Sequence, residues 1–433
     1  MSFVRVVGLA ALLVAPALNA DAWVMQVLDV RGHGAALSVD PSGNVFAAGQ
    51  LYGTSATGSH FTVLKLDPAA ETVLWQQRLD GTVAVEPDYA PRDSAMSVAA
   101  DPAGDAIAAG TLFDLGNHVD AAVVKLAGAT GAVVWQTTFA DAGPAAAALE
   151  PGGDAVGIVW SGHFSAFRVA GATGAPLWRQ DVFGTTTSAG GAFALDVASD
   201  VVVAGDVNST PFYSDFAVVK LSLATGAELW RYVVSHPAPD FARAVAQDDG
   251  GDVIAGGILD RNFTVVKLSG ATGAELWRFV LPGSPGGEGA EVVVPSPDGD
   301  VFVGGQLLDK WAVLRLSGTT GAELWRRVYT HGNVQDLTLD PTGDVVAAGY
   351  RQSRFTVMRL SGDSGKRRWS RTLTTNPRQF SGAFGVVLDG DANPIAVGQA
   401  RAKMTSGVKD IAFTVAKFCR ANGRPKNTTL CPP

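Results

Sequence analysis

Charge is scarce in this sequence. Asp, Glu, Lys and Arg supply 17% of its 433 residues, against roughly a quarter in ordinary soluble domains. The balance is acidic, −8 at pH 7. No basic surface is therefore on offer to a phosphate backbone, and nucleic-acid binding is excluded as a function class. No apolar run reaches the ~20 residues of a membrane-crossing helix, and no basic amphipathic stretch suits a membrane surface. The G-x-S-x-G elbow, the H-E-x-x-H zinc helix and the P-loop are all absent. Cysteine is nearly missing as well: Cys419 and Cys431 are the only two. They lack the neighbouring His or Cys of a metal or reactive-thiol site. In an oxidising compartment they are expected to join as one disulfide, closing a short loop in a C-terminal tail, 418–433.

What is abundant is apolar surface and glycine. At 47% hydrophobic, the chain can bury enough area to offset its ordering entropy, which excludes disorder. Its 51 glycines, near 12%, favour many short strands joined by tight turns. The first 22 residues read separately. Arg5 precedes an apolar segment from Val6 to Leu18, interrupted by Pro16, and Ala20-Asp21-Ala22 supplies an A-x-A cleavage pattern. Residues 1–22 are thus expected to be a signal peptide, cut after Ala20 or Ala22. Residues 23–433 form one domain, exported to the periplasm or the medium.

That domain repeats. One phrase reads FAVVKLSLATGAELWR at 216–231, FTVVKLSGATGAELWR at 263–278 and WAVLRLSGTTGAELWR at 311–326. Looser copies end at Trp75, Trp135, Trp178 and Trp369. Between them stands a five-residue turn, as in DPSGN (40–44), DDGGD (248–252), SPDGD (296–300) and DGDAN (389–393), followed by a β run. These turns faintly suggest calcium loops, but a strand follows at once where an EF-hand needs further ligands, so they read as hairpin turns. Eight such turns and eight strand runs occur, yet only seven tryptophans follow them. Trp23 supplies the eighth from the other end of the mature chain. A linear array has no need of that complementarity, whereas a closed ring does, because closure removes exposed strand edges. Each repeat reads as four strands, A to D. In one copy these are AEVVV, DVFVGGQ, WAVLRL and AELWRRV. The predicted fold is an all-β, eight-bladed β-propeller of four-stranded antiparallel blades, sealed by pairing of its N- and C-terminal strands.

The repeat resembles the PQQ-like propellers of the quinoprotein alcohol dehydrogenase type. Their tryptophan-docking motif, Ala-x-Asp-x-x-Thr-Gly-x-x-x-Trp, keeps Thr, Gly and Trp at Thr130/Gly131/Trp135, Thr173/Gly174/Trp178, Thr225/Gly226/Trp230, Thr272/Gly273/Trp277 and Thr320/Gly321/Trp325. The first Ala is replaced by Lys125, Arg168, Lys220, Lys267 and Arg315. A basic residue repeated in every strand C, from Lys65 to Lys417, reads as structural rather than as an anion ring. The phrase D-F-x-V-x-K is also similar to the bacterial SBBP β-propeller repeats. The resemblance implies an alternative function, a PQQ- and Ca²⁺-dependent oxidoreductase with its site at the axial mouth. The adjacent-cysteine disulfide that many such enzymes carry has no counterpart here.

Topology predicts where a ligand can sit. The A–B and C–D turns lie on one face and are stereotyped. The D–A and B–C loops lie on the other, vary freely and carry all six histidines. These histidines come from different repeats, so no metal site is expected. Residues entering strand A stand closest to the axis: Asp93, Asp240, Arg243, Glu288, Glu291, Gln335 and Asp336, with His33 and Arg92 nearby. Acids and an arginine converging on a central mouth suit a cation or a polar ligand. No catalytic residue and no cofactor is assigned. The expected function is a non-enzymatic, monomeric scaffold that offers its loop face to a protein, glycan or small ligand.

Overall fold

The computed structural model describes residues 24–53, 58–81, 93–113, 118–143, 145–160, 164–182, 190–195, 200–210, 213–238, 240–283, 289–373, 380–403 and 409–420. The expected signal peptide, Trp23, Arg92, Glu288 and Cys431 lie outside them. Among the described residues there are 31 strands and no helix, hence none long and apolar enough to cross a membrane. Six antiparallel sheets have four strands each, spanning 94–139, 145–181, 190–234, 241–281, 290–329 and 332–373. This is an all-β architecture consistent with a β-propeller.

Strand assignment follows the sequence closely. In the sheet 290–329 the four strands are Ala290–Pro295, Val301–Gln306, Trp311–Leu316 and Glu323–Tyr329. Strands B and C are buried on both faces, as their unbroken Val/Ile/Phe/Leu runs require, while strand D alternates buried and exposed. Gly43, Gly104, Gly153, Gly251, Gly299 and Gly343 take positive φ in the A–B turns, and Ala392 does so in DGDAN.

The seventh sheet has seven strands. In hydrogen-bonded order they are Gly382–Leu388, Pro394–Lys403, Lys409–Lys417, Val24–Val39, Val45–Tyr52, Ser59–Leu66 and Val73–Leu79. The 16-residue strand Val24–Val39 is shared between two halves. Val24, Met25 and Gln26 pair with Ala416, Val415 and Thr414, while Gly32 to Val39 pair with Leu51 to Val45. The first and last described strands are therefore hydrogen-bonded to each other. Strand A of most sheets rests on strand A of the next, and Gly382–Leu388 rests on Val24–Val39.

One contact recurs at the sheet junctions. Trp75, Trp230, Trp277 and Trp325, on strand D, each donate Nε1–H to a carbonyl in the next sheet's C–D turn: Gly128, Gly270, Gly318 and Gly362, at 2.7–3.0 Å. Trp135, Trp178 and Trp369 reach Gly171, Leu223 and Arg420 in the same way. The indole lies against the turn glycine. A Cβ on Gly273, whose φ is +70°, would fall 2.7 Å from the Trp230 ring. Burying ~200 Å² of indole contributes about 5 kcal/mol before ordering costs. The strand-C cation joins in. Lys65, Arg168, Lys220, Lys267, Arg315 and Arg359 donate to the same carbonyl as the tryptophan beside them. They also pair with acids of their own sheet's A–B turn, as in Lys267–Asp248 at 2.7 Å and Arg359–Asp340 at 2.6 Å. Lys417, in the last strand, pairs with Asp389 at 2.7 Å and donates to Pro68 O, in the first C–D turn.

Removing a cation from this arrangement strands a buried acid. Lys417→Met is expected to destabilise the fold by about 3–5 kcal/mol, read as a lower urea midpoint. Gly273→Ala is expected to match or exceed it, because both φ and the indole contact forbid a Cβ.

Candidate functional site

Strand A carries a feature that alternation alone does not reveal. In five of the four-stranded sheets and in both halves of the seven-stranded one, its register against strand B slips by one residue, between Gly34/Ala36, Ala95/Ser97, Gly190/Ala192, Ala242/Ala244, Ala290/Val292, Val334/Asp336 and Ala383/Gly385. The residue in each slip is a β-bulge, whose side chain is re-aimed out of the alternation. Arg243, Glu291 and Gln335 are three such residues; Ala35, Met96 and Phe384 are others. Three of the expected axial residues thus sit on bulges that recur at one position of strand A. Arg243 Nη1 donates to Glu291 Oε1 across two neighbouring A strands, so these two charges are committed to each other.

The remaining acids are committed to backbone. Asp336, one residue past its bulge, accepts from Leu337 N at 2.8 Å and from Val386 N of the neighbouring strand A at 2.7 Å. Burial among the inner strands pushes its carboxyl up to about 7, against the pull of those two bonds. Ser97 plays the equivalent part in the sheet 94–139, its Oγ accepting from Ala147 N at 2.9 Å. Asp93 is 2% exposed and accepts from Gly81 N and Phe113 N at 2.9 and 2.7 Å. Asp240 is fully buried and accepts from Asp260 N at 2.7 Å and His236 Nδ1 at 2.9 Å. Burial raises both acids. They clamp loops from either side of a sheet junction and do not face a ligand. The sequence placed them near the mouth but gave no sign of the distant backbone amides that claim them.

His33, on the strand Val24–Val39, keeps company that its sequence position does not reveal. Gln50 Nε2 donates to its Nδ1 at 2.9 Å and to Tyr52 Oη at 2.8 Å. Burial holds the imidazole below its ordinary pKa, so it is neutral at pH 7. Phe384 stands 6.3 Å away on one side and Tyr52 at the same distance on the other. Phe380 and Tyr350 continue the row. Two signals point to these residues: the small-x-small triplet around several bulges, as in Ala383-Phe384-Gly385, and the position after the strand-B glycine, as in Gly49-Gln50 and Gly349-Tyr350. Of the other histidines, His60, His236 and His331 each pair with an aspartate, Asp80, Asp240 and Asp309. His163 lies outside the described residues.

Comparison with known proteins now has a geometry to fit. The family model described as outer membrane protein assembly factor BamB matches residues 59–260 and 261–407. The chain belongs to this family of PQQ-like propeller repeats. It is similar to the solved structure of BamB from Moraxella catarrhalis at 17% identity, covering 92% of this chain and 100% of that one, with a TM-score of 0.54. It is also similar to quinohemoprotein alcohol dehydrogenase ADHIIG from Pseudomonas putida HK5, at 13% identity, 95% and 78% coverage and a TM-score of 0.62. The Dos1 propeller matches at 11% identity, 92% and 94% coverage and a TM-score of 0.60. At these identities the likeness shows the fold alone. The sequence matches no curated protein.

Calcium takes 6–8 oxygen ligands, mostly carboxylates and carbonyls converging on one point. Here Glu291 is held by Arg243, and Asp93, Asp240 and Asp336 are held by backbone amides in different sheets. No three metal-ligating side chains come together among the described residues. The described donors therefore do not fit a PQQ–calcium centre.

The two sets of acids predict a stability maximum in mild acid. Asp336, Asp93 and Asp240 bind their proton more tightly when folded, so their contribution is complete below the unfolded value near 4 and is lost as pH rises through the raised one, about 7 for Asp336. The turn acids act oppositely. For Asp340 and Asp389 burial opposes ionisation, but bonds from Thr342 and Lys417 and nearby cations outweigh it and lower the pKa. Their contribution is present above about 4 and lost below. Urea midpoints measured from pH 3 to 8 are expected to peak between about 4 and 6. Asp336→Ser, which keeps an acceptor as Ser97 does, is expected to flatten the decline above pH 5.

Proposed function

We propose that this protein is an exported, non-enzymatic, monomeric eight-bladed propeller that binds a partner on its loop face. The count of eight follows if the seven-stranded sheet is read as two blades sharing the strand Val24–Val39. Pairing of Val24–Gln26 with Thr414–Ala416, and the reach of Lys417 to Pro68, support a ring sealed at that seam. Cys419 is buried and no described cysteine is free, in keeping with a Cys419–Cys431 disulfide in an exported protein. The family's match to an outer-membrane assembly factor accords with export and with a scaffold role.

One observation carries the functional reading. Every described acid singled out near the mouth is already satisfied by a protein partner, whereas rings and neutral side chains around His33 and Phe384 remain open to a ligand. A rigid ring whose described mouth acids are all committed to protein partners suits binding rather than transformation.

The full chain, expressed with its leader, is expected to leave the cytoplasm with a new N-terminus at Asp21 or Trp23; retention with Met1 intact would overturn export. Incubated with PQQ and Ca²⁺, it is expected to reduce no dye acceptor with primary alcohols, and turnover would overturn the non-enzymatic reading. A photo-crosslinker at His118, on the loop face, is expected to capture a partner in the native host. One at Asp363, fully exposed on the turn face, is expected to capture none.

A further inference from the structure

We propose that one arc of the mouth is a carbohydrate subsite, an inference that rests on the loop face being the binding face. Five rings form a continuous row across the sheet 332–373 and the seam of the seven-stranded sheet. Tyr350 and Phe380 meet edge to face at 4.8 Å, and Phe380 and Phe384 lie nearly parallel at 6.3 Å. Phe384 meets His33 at 6.3 Å, and His33 meets Tyr52 at 6.3 Å. Phe380 is 38% exposed, and Tyr350, Phe384, His33 and Tyr52 are half-buried. A row of rings with faces and edges partly open to solvent is a stacking surface.

Polar atoms beside the rings decide what stacks there. Asn333 is paired with Tyr350 across strands A and B and is 6% exposed, yet its Oδ1 has no partner. Ser381, next to Phe380, is fully buried, and its Oγ also has no partner. A buried acceptor or hydroxyl left unpaired costs about 1–3 kcal/mol, a cost that a ligand able to shift the cover over Asn333 and Ser381 would relieve by supplying donors and acceptors. Gln50 and Gln399 add amides, the latter donating to Phe380 O at 3.5 Å. None of these side chains is charged, and His33 is held neutral.

The combination discriminates among ligands. A hydrocarbon would cover the rings and leave Asn333 Oδ1 and Ser381 Oγ unpaired. No charged side chain belongs to the row itself, and the two carboxylates that act on Tyr350, Glu291 and Asp309, are already paired with Arg243 and His331. A neutral sugar has C–H faces for the rings and hydroxyls that both donate and accept. The geometry therefore points to a neutral oligosaccharide, read by stacking and by hydroxyl hydrogen bonds.

Isothermal titration of the full-length protein with cellohexaose, maltohexaose, chitohexaose and a polygalacturonate oligomer tests this. At least one neutral hexaose is expected to bind, and Phe384→Ala and Phe380→Ala are each expected to weaken it tenfold or more. Arg243→Ala is expected to leave the affinity within twofold. Phe380 is exposed, so its variant keeps the test usable if Phe384→Ala unfolds. The proposal is overturned if no neutral hexaose binds, if both ring variants bind like the wild type, or if only polygalacturonate binds and Arg243→Ala abolishes it. A displayed peptide that needs Phe384 while no sugar binds would overturn the carbohydrate assignment and leave loop-face binding standing. Failure of the His118 crosslink together with absence of every ligand here would sink both.

Discussion

The molecule depends on a carbonyl that accepts twice. In the C–D turn of a sheet, one backbone oxygen, such as Gly318 O, receives the indole N–H of Trp277 and the ammonium of Lys267 from the preceding sheet. The cation is simultaneously tied to Asp248 and Asp252 in its own A–B turn. Two turns in two sheets are thereby fixed by one side chain. A lone buried lysine would be costly, but here its hydrogen bonds and counter-charges are supplied by turns that the fold needs anyway. The scarcity of charge in the sequence follows in part, because a large share of it is concentrated at these junctions. The same contact explains why Lys or Arg replaces the Ala of the related docking motif without loss of stacking: the long side chain reaches the carbonyl beside the indole and does not displace it.

This anchoring makes the two faces unequal. On the turn face the acids are held by strand-C cations, and the short turns are set by positive-φ glycines. Little is left there to vary. On the loop face, buried aspartates such as Asp93 and Asp240 hold the loops from below, accepting backbone amides on both sides of a junction. A loop fixed at its base can change its tip without disturbing the ring. Bulges complete the asymmetry by turning one residue of strand A out of register near the mouth. Arg243 and Phe384 occupy equivalent places, yet one is tied into an ion pair and the other belongs to a ring stack.

The repeat was legible in the sequence, and so were the strands. The phrase ending at Trp325 maps onto Trp311–Leu316 and Glu323–Tyr329, and the pairing of Val24–Gln26 with the last strand matches the count of tryptophans. These features were readable because each recurs with fixed spacing, so local chemistry and global order agree. The site was only partly legible. Arg243, Glu291 and Gln335 were found because they are polar and near the start of strand A. Phe384 escaped because an aromatic residue in a β run reads as core, and only the register slip between Ala383 and Gly385 turns it outward. Asp93 and Asp240 misled for the converse reason. Their charge suggests solvent, but Gly81, Phe113 and Asp260, remote in sequence, supply the amides that bury them.

The aromatic row and the pairing of the first and last described strands share residues, and that has a thermodynamic consequence. His33 belongs to the strand Val24–Val39 that pairs with the C-terminal strand, while Phe384 lies on the neighbouring strand Gly382–Leu388. Their rings meet only when those segments are assembled side by side. Any occupant that touches both rings binds the sealed arrangement and not an opened one. By linkage it must then favour the seal by an amount set by its concentration relative to its dissociation constant. The pairing of Val24–Gln26 with Thr414–Ala416 joins segments nearly four hundred residues apart in sequence, and the contact between His33 and Phe384 depends on the same assembly.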